Sequence, residues 1–126
     1  MSKSNLYLGS WGEESALKFL KSKGYKILAK NYKSNLGEID IVARDKDTIC
    51  FVEVKTRSSD KFGLPQEALS NFKQRQIAKT ALSFLKENKL LDKKARFDVI
   101  ALTYQGDSPK IDLIRDAFEL DSKFTY

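Results

Sequence analysis

Gly37–Arg57, GEIDIVARDKDTICFVEVKTR, is the stretch on which the fold of this chain turns. Two runs of alternating apolar and polar residues, Gly37–Arg44 and Thr48–Thr56, flank the polar break Asp45-Lys46-Asp47, which is the pattern of a β-hairpin. Side chains two apart share a strand face, so Ile39, Ile41 and Ala43 are expected on one side and Asp40 and Val42 on the other. On the second strand Cys50, Val52 and Val54 form one apolar face, leaving Phe51, Glu53 and Lys55 opposite. If Arg44 and Asp47 flank the turn, Asp40 lies across from Phe51, with Glu53 a diagonal neighbour about 7–8 Å away at the backbone. Glu38 then faces Glu53 directly, two carboxylates that repel unless a cation lies between them. A slip of a single residue would put Asp40 and Glu53 on opposite faces, so a metal site shared by them demands this parity of register.

Working outward, Tyr25–Tyr32 alternates loosely as a first strand, and Ser34-Asn35-Leu36-Gly37 turns it into the hairpin. Upstream, Ser10-Trp11-Gly12-Glu13 has capping-box spacing and is expected to open a helix that Gly24 closes. Ala16, Leu17 and Leu20 make its apolar stripe, and Glu13 falls on the same stripe. Downstream, Ser58–Gly63 reads as a polar loop, Pro65 as a first helical residue, and Gln66–Leu69 as a short turn. A longer helix is expected over Asn71–Asn88, buried along Ile77, Ala78, Ala81, Leu82 and Leu85. Phe97–Tyr104 is apolar on both faces, as a central strand is, and Lys110–Arg115 reads as an edge strand after the turn Gln105–Pro109. The order is helix, three strands, helix, strand, with one strand appended: an α/β fold whose mixed central sheet is flanked by helices.

The 126 residues are expected to form one domain with a real core. The net charge is +6, and between Lys73 and Arg96 eight basic residues stand against Glu87 and Asp92, which favours a polyanionic partner. A single cysteine, Cys50, fits a reducing compartment. No signal peptide or membrane-length apolar run is read, so a soluble cytoplasmic protein is expected. The chain has no histidine. That excludes zinc-protease helices, histidine-based triads and His–metal nucleases, and leaves carboxylates, lysine and a hard metal ion to carry any catalysis.

An acid on one strand and an acid-x-lysine on the next suit two-carboxylate hydrolysis of phosphodiesters. The carboxylates hold Mg²⁺ or Mn²⁺, and the lysine positions the nucleophile or stabilises the pentacovalent state. These residues resemble the PD-(D/E)xK nuclease superfamily, whose core is restriction-endonuclease-like αβββαβ. More closely, Gly12-Glu13…Ala16, Gly37-Glu38-Ile39-Asp40, Phe51-Val52-Glu53-Val54-Lys55-Thr56-Arg57, Lys73 and Arg96-Phe97-Asp98 resemble the YraN-like family of small bacterial proteins. That family is regarded as similar to archaeal Holliday junction resolvases. The likeness runs from about Leu8 to Leu102, and Ile39 stands where the superfamily has its proline.

The resemblance implies Asp40 and Glu53 as metal ligands, Lys55 as catalytic lysine and Glu13 as the acid that completes the site. The implied activity is a metal-dependent, structure-selective DNA endonuclease of repair or recombination, acting on branched DNA. Symmetric cutting of two strands would call for a homodimer. Plainer roles stand beside these. Glu13 can cap its own helix, Glu53 and Lys55 can be an exposed strand face, and Asp98 can pair with Arg96. Lys73 and Gln74 suit a scissile phosphate or a solvated helix end, and Arg57, Arg75 and Lys79 suit the phosphate backbone. The alternative function is a nucleic-acid-binding or repair-accessory protein that keeps the fold without turnover.

Overall fold

The computed structural model describes residues 3–57, 70–105 and 108–118. The elements run α1 (Lys3–Ser22), β1 (Lys26–Ser34), β2 (Gly37–Asp45), β3 (Thr48–Arg57), α2 (Asn71–Glu87), β4 (Lys94–Gln105) and β5 (Ser108–Ile114). The strands form one mixed sheet in the order β1-β2-β3-β4-β5, antiparallel throughout except for the parallel pair β3–β4. A parallel pair needs a long crossover, and α2 lies in it. The expected loop Ser58–Gly63, Pro65 and the turn at Gln66–Leu69 fall outside the described residues, as do Gly106 and Asp107 of the expected Gln105–Pro109 turn.

Two apolar clusters divide the core. Ile77, Ala78, Ala81, Phe84 and Leu85 of α2 pack with Val42, Ile49, Phe51, Phe97 and Val99. Ala16, Leu17 and Leu20 of α1 pack with Ile41, Cys50, Val52, Ile100 and Leu102. β3 and β4 give alternate residues to the two clusters, so the helices cover opposite faces. That is why β3 and β4 are apolar on both sides. On α2, Phe84 and Thr80 join the buried face, whereas Leu82 is only half-buried. No helix among the described residues is long and apolar enough to cross a membrane.

The expected start of α1 is corrected. The helix runs through Ser10, which is therefore an interior residue of it and not its start. Gly12 lies inside this helix, where a glycine costs only about 1 kcal/mol relative to alanine. Burying Leu17 and Leu20 contributes about 1.5–3 kcal/mol each. Gly12 also has a positive reason to be there: a Cβ at this position would run into the side chain of Thr56, so its absence lets α1 lie close on β3. The C-terminus is as expected. Gly24, at φ +90°, ends α1 with bonds from its own N–H to Lys21 O (3.0 Å) and from Tyr25 N–H to Leu20 O (3.0 Å).

The hairpin register is also corrected. Asp45 pairs with Thr48 and Arg44 with Ile49, so the turn is Lys46-Asp47, one residue further along than expected. Asp45 is kept in the strand because Arg96 Nη2 donates to its carboxylate at 3.1 Å, while Lys46 takes the positive φ (57°) of the turn. Moving the turn by one residue shifts every partner by two positions and leaves the faces unchanged, so the parity holds. A second difference lies at the open end of the hairpin. Ile39 packs on the α2 side and Ile41 on the α1 side, although both were expected on one face. The strand turns over between them, at Asp40, just past Ile41–Val52, where the β2–β3 ladder ends.

Candidate active site

Asp40 and Glu53 meet where that ladder stops. Continued by one step from Ile41–Val52, the register sets Asp40 directly across from Glu53 rather than diagonal to it. Glu38 therefore does not face Glu53, as the earlier register required. Asp40 uses one carboxylate oxygen to accept the Val54 N–H at 2.8 Å, so its side chain satisfies a strand donor beyond the last ladder pair. The Asp40 and Glu53 carboxyl groups are close enough to share a hydrogen bond.

Glu53 is only 8% exposed, which overturns the reading of Glu53 and Lys55 as a bare strand face. Its neighbour on the other side, across the β3–β4 ladder, is Val99. Burial in these apolar surroundings, with the Asp40 charge beside it, pushes the Glu53 carboxyl up to about 7, against the opposing pull of Lys73 and Lys55. Glu53 therefore keeps its proton to a higher pH than an ordinary carboxyl does.

Lys73, read from the sequence as suited to a scissile phosphate or a solvated helix end, is drawn to the acids. Its Nζ lies 3.7 Å from Glu53 Oε2, so it enters the acid site itself. Ser70 fixes the turn that carries it: its hydroxyl accepts the Lys73 N–H at 3.1 Å and caps α2. A serine three residues ahead of Lys73 was the available signal. Gly37 adds to it, because α2 passes so near that a Cβ there would lie 3.0 Å from Thr80 Oγ1.

Asp40, Glu53, Lys55 and Lys73 thus form one cluster. Glu13 stands apart. Its Oε2 accepts from Asn31 Nδ2 at 3.5 Å, and Asn31 lies on β1 between Lys30 and Tyr32, whose partners Ile41 and Ile39 bracket Asp40. Asn31 takes a positive φ (50°), which asparagine tolerates. Among the described residues no three or more acids or thiols converge as a metal site. Of the expected backbone contacts, Arg75 and Lys79 are exposed on α2, and Gln74 and Arg57 are half-buried. Arg96 is withdrawn from the basic surface, since Asp45, Asp98 and Tyr25 all bind it. Tyr25 is core, and Tyr32 packs edge-on against Phe84 at 5.2 Å.

The model of the uncharacterised protein family UPF0102 matches residues 12–102. A UPF0102 protein of Geobacter metallireducens is 54% identical over 120 residues, covering 95% of this chain and 98% of its own. One from Syntrophus aciditrophicus is 51% identical over 116 residues, covering 92% and 91%. The chain belongs to the UPF0102 family. The likeness to YraN-like proteins read from the motif blocks is thereby established, and the matched segment holds every member of the UPF0102 protein's acid–lysine cluster.

Proposed function

We propose that this UPF0102 protein is a Mg²⁺- or Mn²⁺-dependent, structure-selective DNA endonuclease of the resolvase-like kind. The observation that carries the reading is the pairing of half-buried Asp40 with buried Glu53, flanked by two lysines. The fit to a hard cation rests on the donor set. Two facing carboxylates, one of them buried with its pKa raised, are stabilised as anions only when positive charge comes between them. Such an ion supplies an acidified water and neutralises charge growing on the phosphate.

The remaining work falls to the side chains. Asp40, held by the Val54 N–H, presents its carboxylate in a set orientation. Lys55, on the Glu53 face of β3, offers its ammonium to the charge developing on phosphorus. Lys73, 3.7 Å from Glu53 in the free protein, only partly offsets its charge and is placed to offer its ammonium to a phosphate oxygen. Glu13 joins the acids from α1 by giving up Asn31. Arg57, Gln74, Arg75 and Lys79 hold the DNA backbone, and a homodimer lets two strands be cut symmetrically.

The test is cleavage of branched or nicked DNA with Mg²⁺ or Mn²⁺. Glu53→Ala and Lys55→Ala are each expected to lower the rate by about a hundredfold or more. Cleavage that survives both substitutions overturns the proposal. Salt-sensitive DNA binding with no cleavage in either metal moves the chain to the repair-accessory alternative.

A further inference from the structure

Beside the acid cluster, between the β1–β2 turn and the first turn of α2, lies an open groove of about 470 Å³. This is within the roughly 300–1,000 Å³ of clefts that take small ligands. Leu36, Phe72 and Ile77 give it apolar walls, and Asn35, Glu38 and Gln76 give it polar edges. Phe72 is 66% exposed, the largest exposure of any big apolar side chain among the described residues, although Ile77 on the same helix is buried. Lys73 belongs to both places: it lines the groove and reaches Glu53.

We propose that this groove holds an unpaired nucleobase of the cut DNA strand, stacked on Phe72, next to the phosphate at Asp40 and Glu53. The proposal rests on the nuclease reading and names the substrate it prefers, a strand single-stranded at the cleavage point. The chemistry of the lining favours a base over other occupants. A flat heteroaromatic ring needs an apolar face to stack on and hydrogen-bonding groups at its edge, and the groove supplies both. Glu38 would repel a phosphate inside the groove, yet it can accept from an exocyclic amine or ring N–H of a base. Lys73, at the boundary with the acid pair, is placed for the phosphate that follows the base. A duplex cannot enter in this way, because its bases are stacked on one another. Stacking on an aromatic ring is tolerant of sequence, which suits an enzyme that reads branching rather than a recognition site.

The proposal is tested without turnover. Phe72→Trp, in chelator, is titrated with a thymidine-rich single strand and with the same sequence as a blunt duplex. The signal of the parent, whose Trp11 lies on α1 across the sheet, is subtracted. The introduced indole is expected to be quenched by the single strand and little by the duplex. Phe72→Ala is expected to weaken single-strand binding about tenfold, with duplex binding unchanged and Phe72→Tyr restoring it. Equal quenching by both DNAs, or an unchanged single-strand Kd in Phe72→Ala, overturns the proposal. Quenching without cleavage in Mg²⁺ or Mn²⁺ upholds the groove and removes the nuclease reading. Cleavage without quenching does the reverse.

Discussion

Two buried carboxylates stand one step apart along the β3–β4 ladder, on opposite faces of it, and the chain treats them differently. Asp98, opposite Val52 and 1% exposed, receives Arg96 Nε at 3.1 Å on both oxygens and the Asp116 N–H at 3.0 Å. Burial pushes its carboxyl up, while the Asp116 N–H and Arg96 pull it down. The geometry is that of an ionised carboxylate meeting a guanidinium. Arg96 also binds Asp45 and the Tyr25 hydroxyl, so this face ties β2, β4 and the end of α1 together. Glu53, opposite Val99, has a second acid beside it and a half-exposed lysine at 3.7 Å. One acid is completed by the protein's own cation and is structural. The other is left short of positive charge, and that shortage marks the candidate active site.

The contrast makes predictions of decreasing size. Arg96→Met leaves Asp98 buried without its cation and is expected to destabilise by about 3–5 kcal/mol at pH 8, measured by urea unfolding. The loss should shrink in acid, because removing Arg96 raises the Asp98 carboxyl further and the folded protein then keeps the proton. A cost below about 1 kcal/mol would erase the distinction between the two faces.

Glu53→Gln should act in the opposite sense. The folded Glu53 carboxyl is raised from 4.5 to about 7, so between these values the folded chain retains a proton that the unfolded chain has lost. Stability therefore falls as pH rises through this window. In chelator, the glutamine variant is expected to exceed the parent by on the order of 2–3 kcal/mol at pH 8 and to match it below pH 4.5. Paired pH–stability curves that stay parallel would show that Asp40 and Glu53 are not short of charge.

Lys73→Met carries the smallest effect on folding. Its side chain is 45% exposed, and such pairs contribute about 0–1 kcal/mol. Cleavage should suffer more than stability if Lys73 serves the phosphate, so rate and denaturation midpoint measured on the same sample separate the two roles.

Much of this was legible in the chain. Alternation in Gly37–Arg57 specified a hairpin, and the parity of the side chains put Glu53 and Lys55 on one face whatever the turn. The double-sided apolar run at Phe97 marked a central strand, and Arg96-x-Asp98 announced its own ion pair. What failed was local punctuation. The capping-box spacing at Ser10–Glu13 looked like the start of a helix that in fact runs through it, and the turn moved one residue because Arg96, distant in sequence, holds Asp45 in the strand.

Residue type and period-two alternation thus determined by themselves which side chains share a face where the strand runs regularly, as at Glu53 and Lys55, but not at Asp40, where β2 turns over. The tertiary structure decided which of them meet. It ended the ladder at Ile41–Val52, turned the strand at Asp40, and brought Lys73 of the capped α2 to Glu53 while leaving Glu13 with Asn31. Those outcomes follow from helices packing on two faces of one sheet, and contacts between residues far apart in the chain leave no mark in its local pattern.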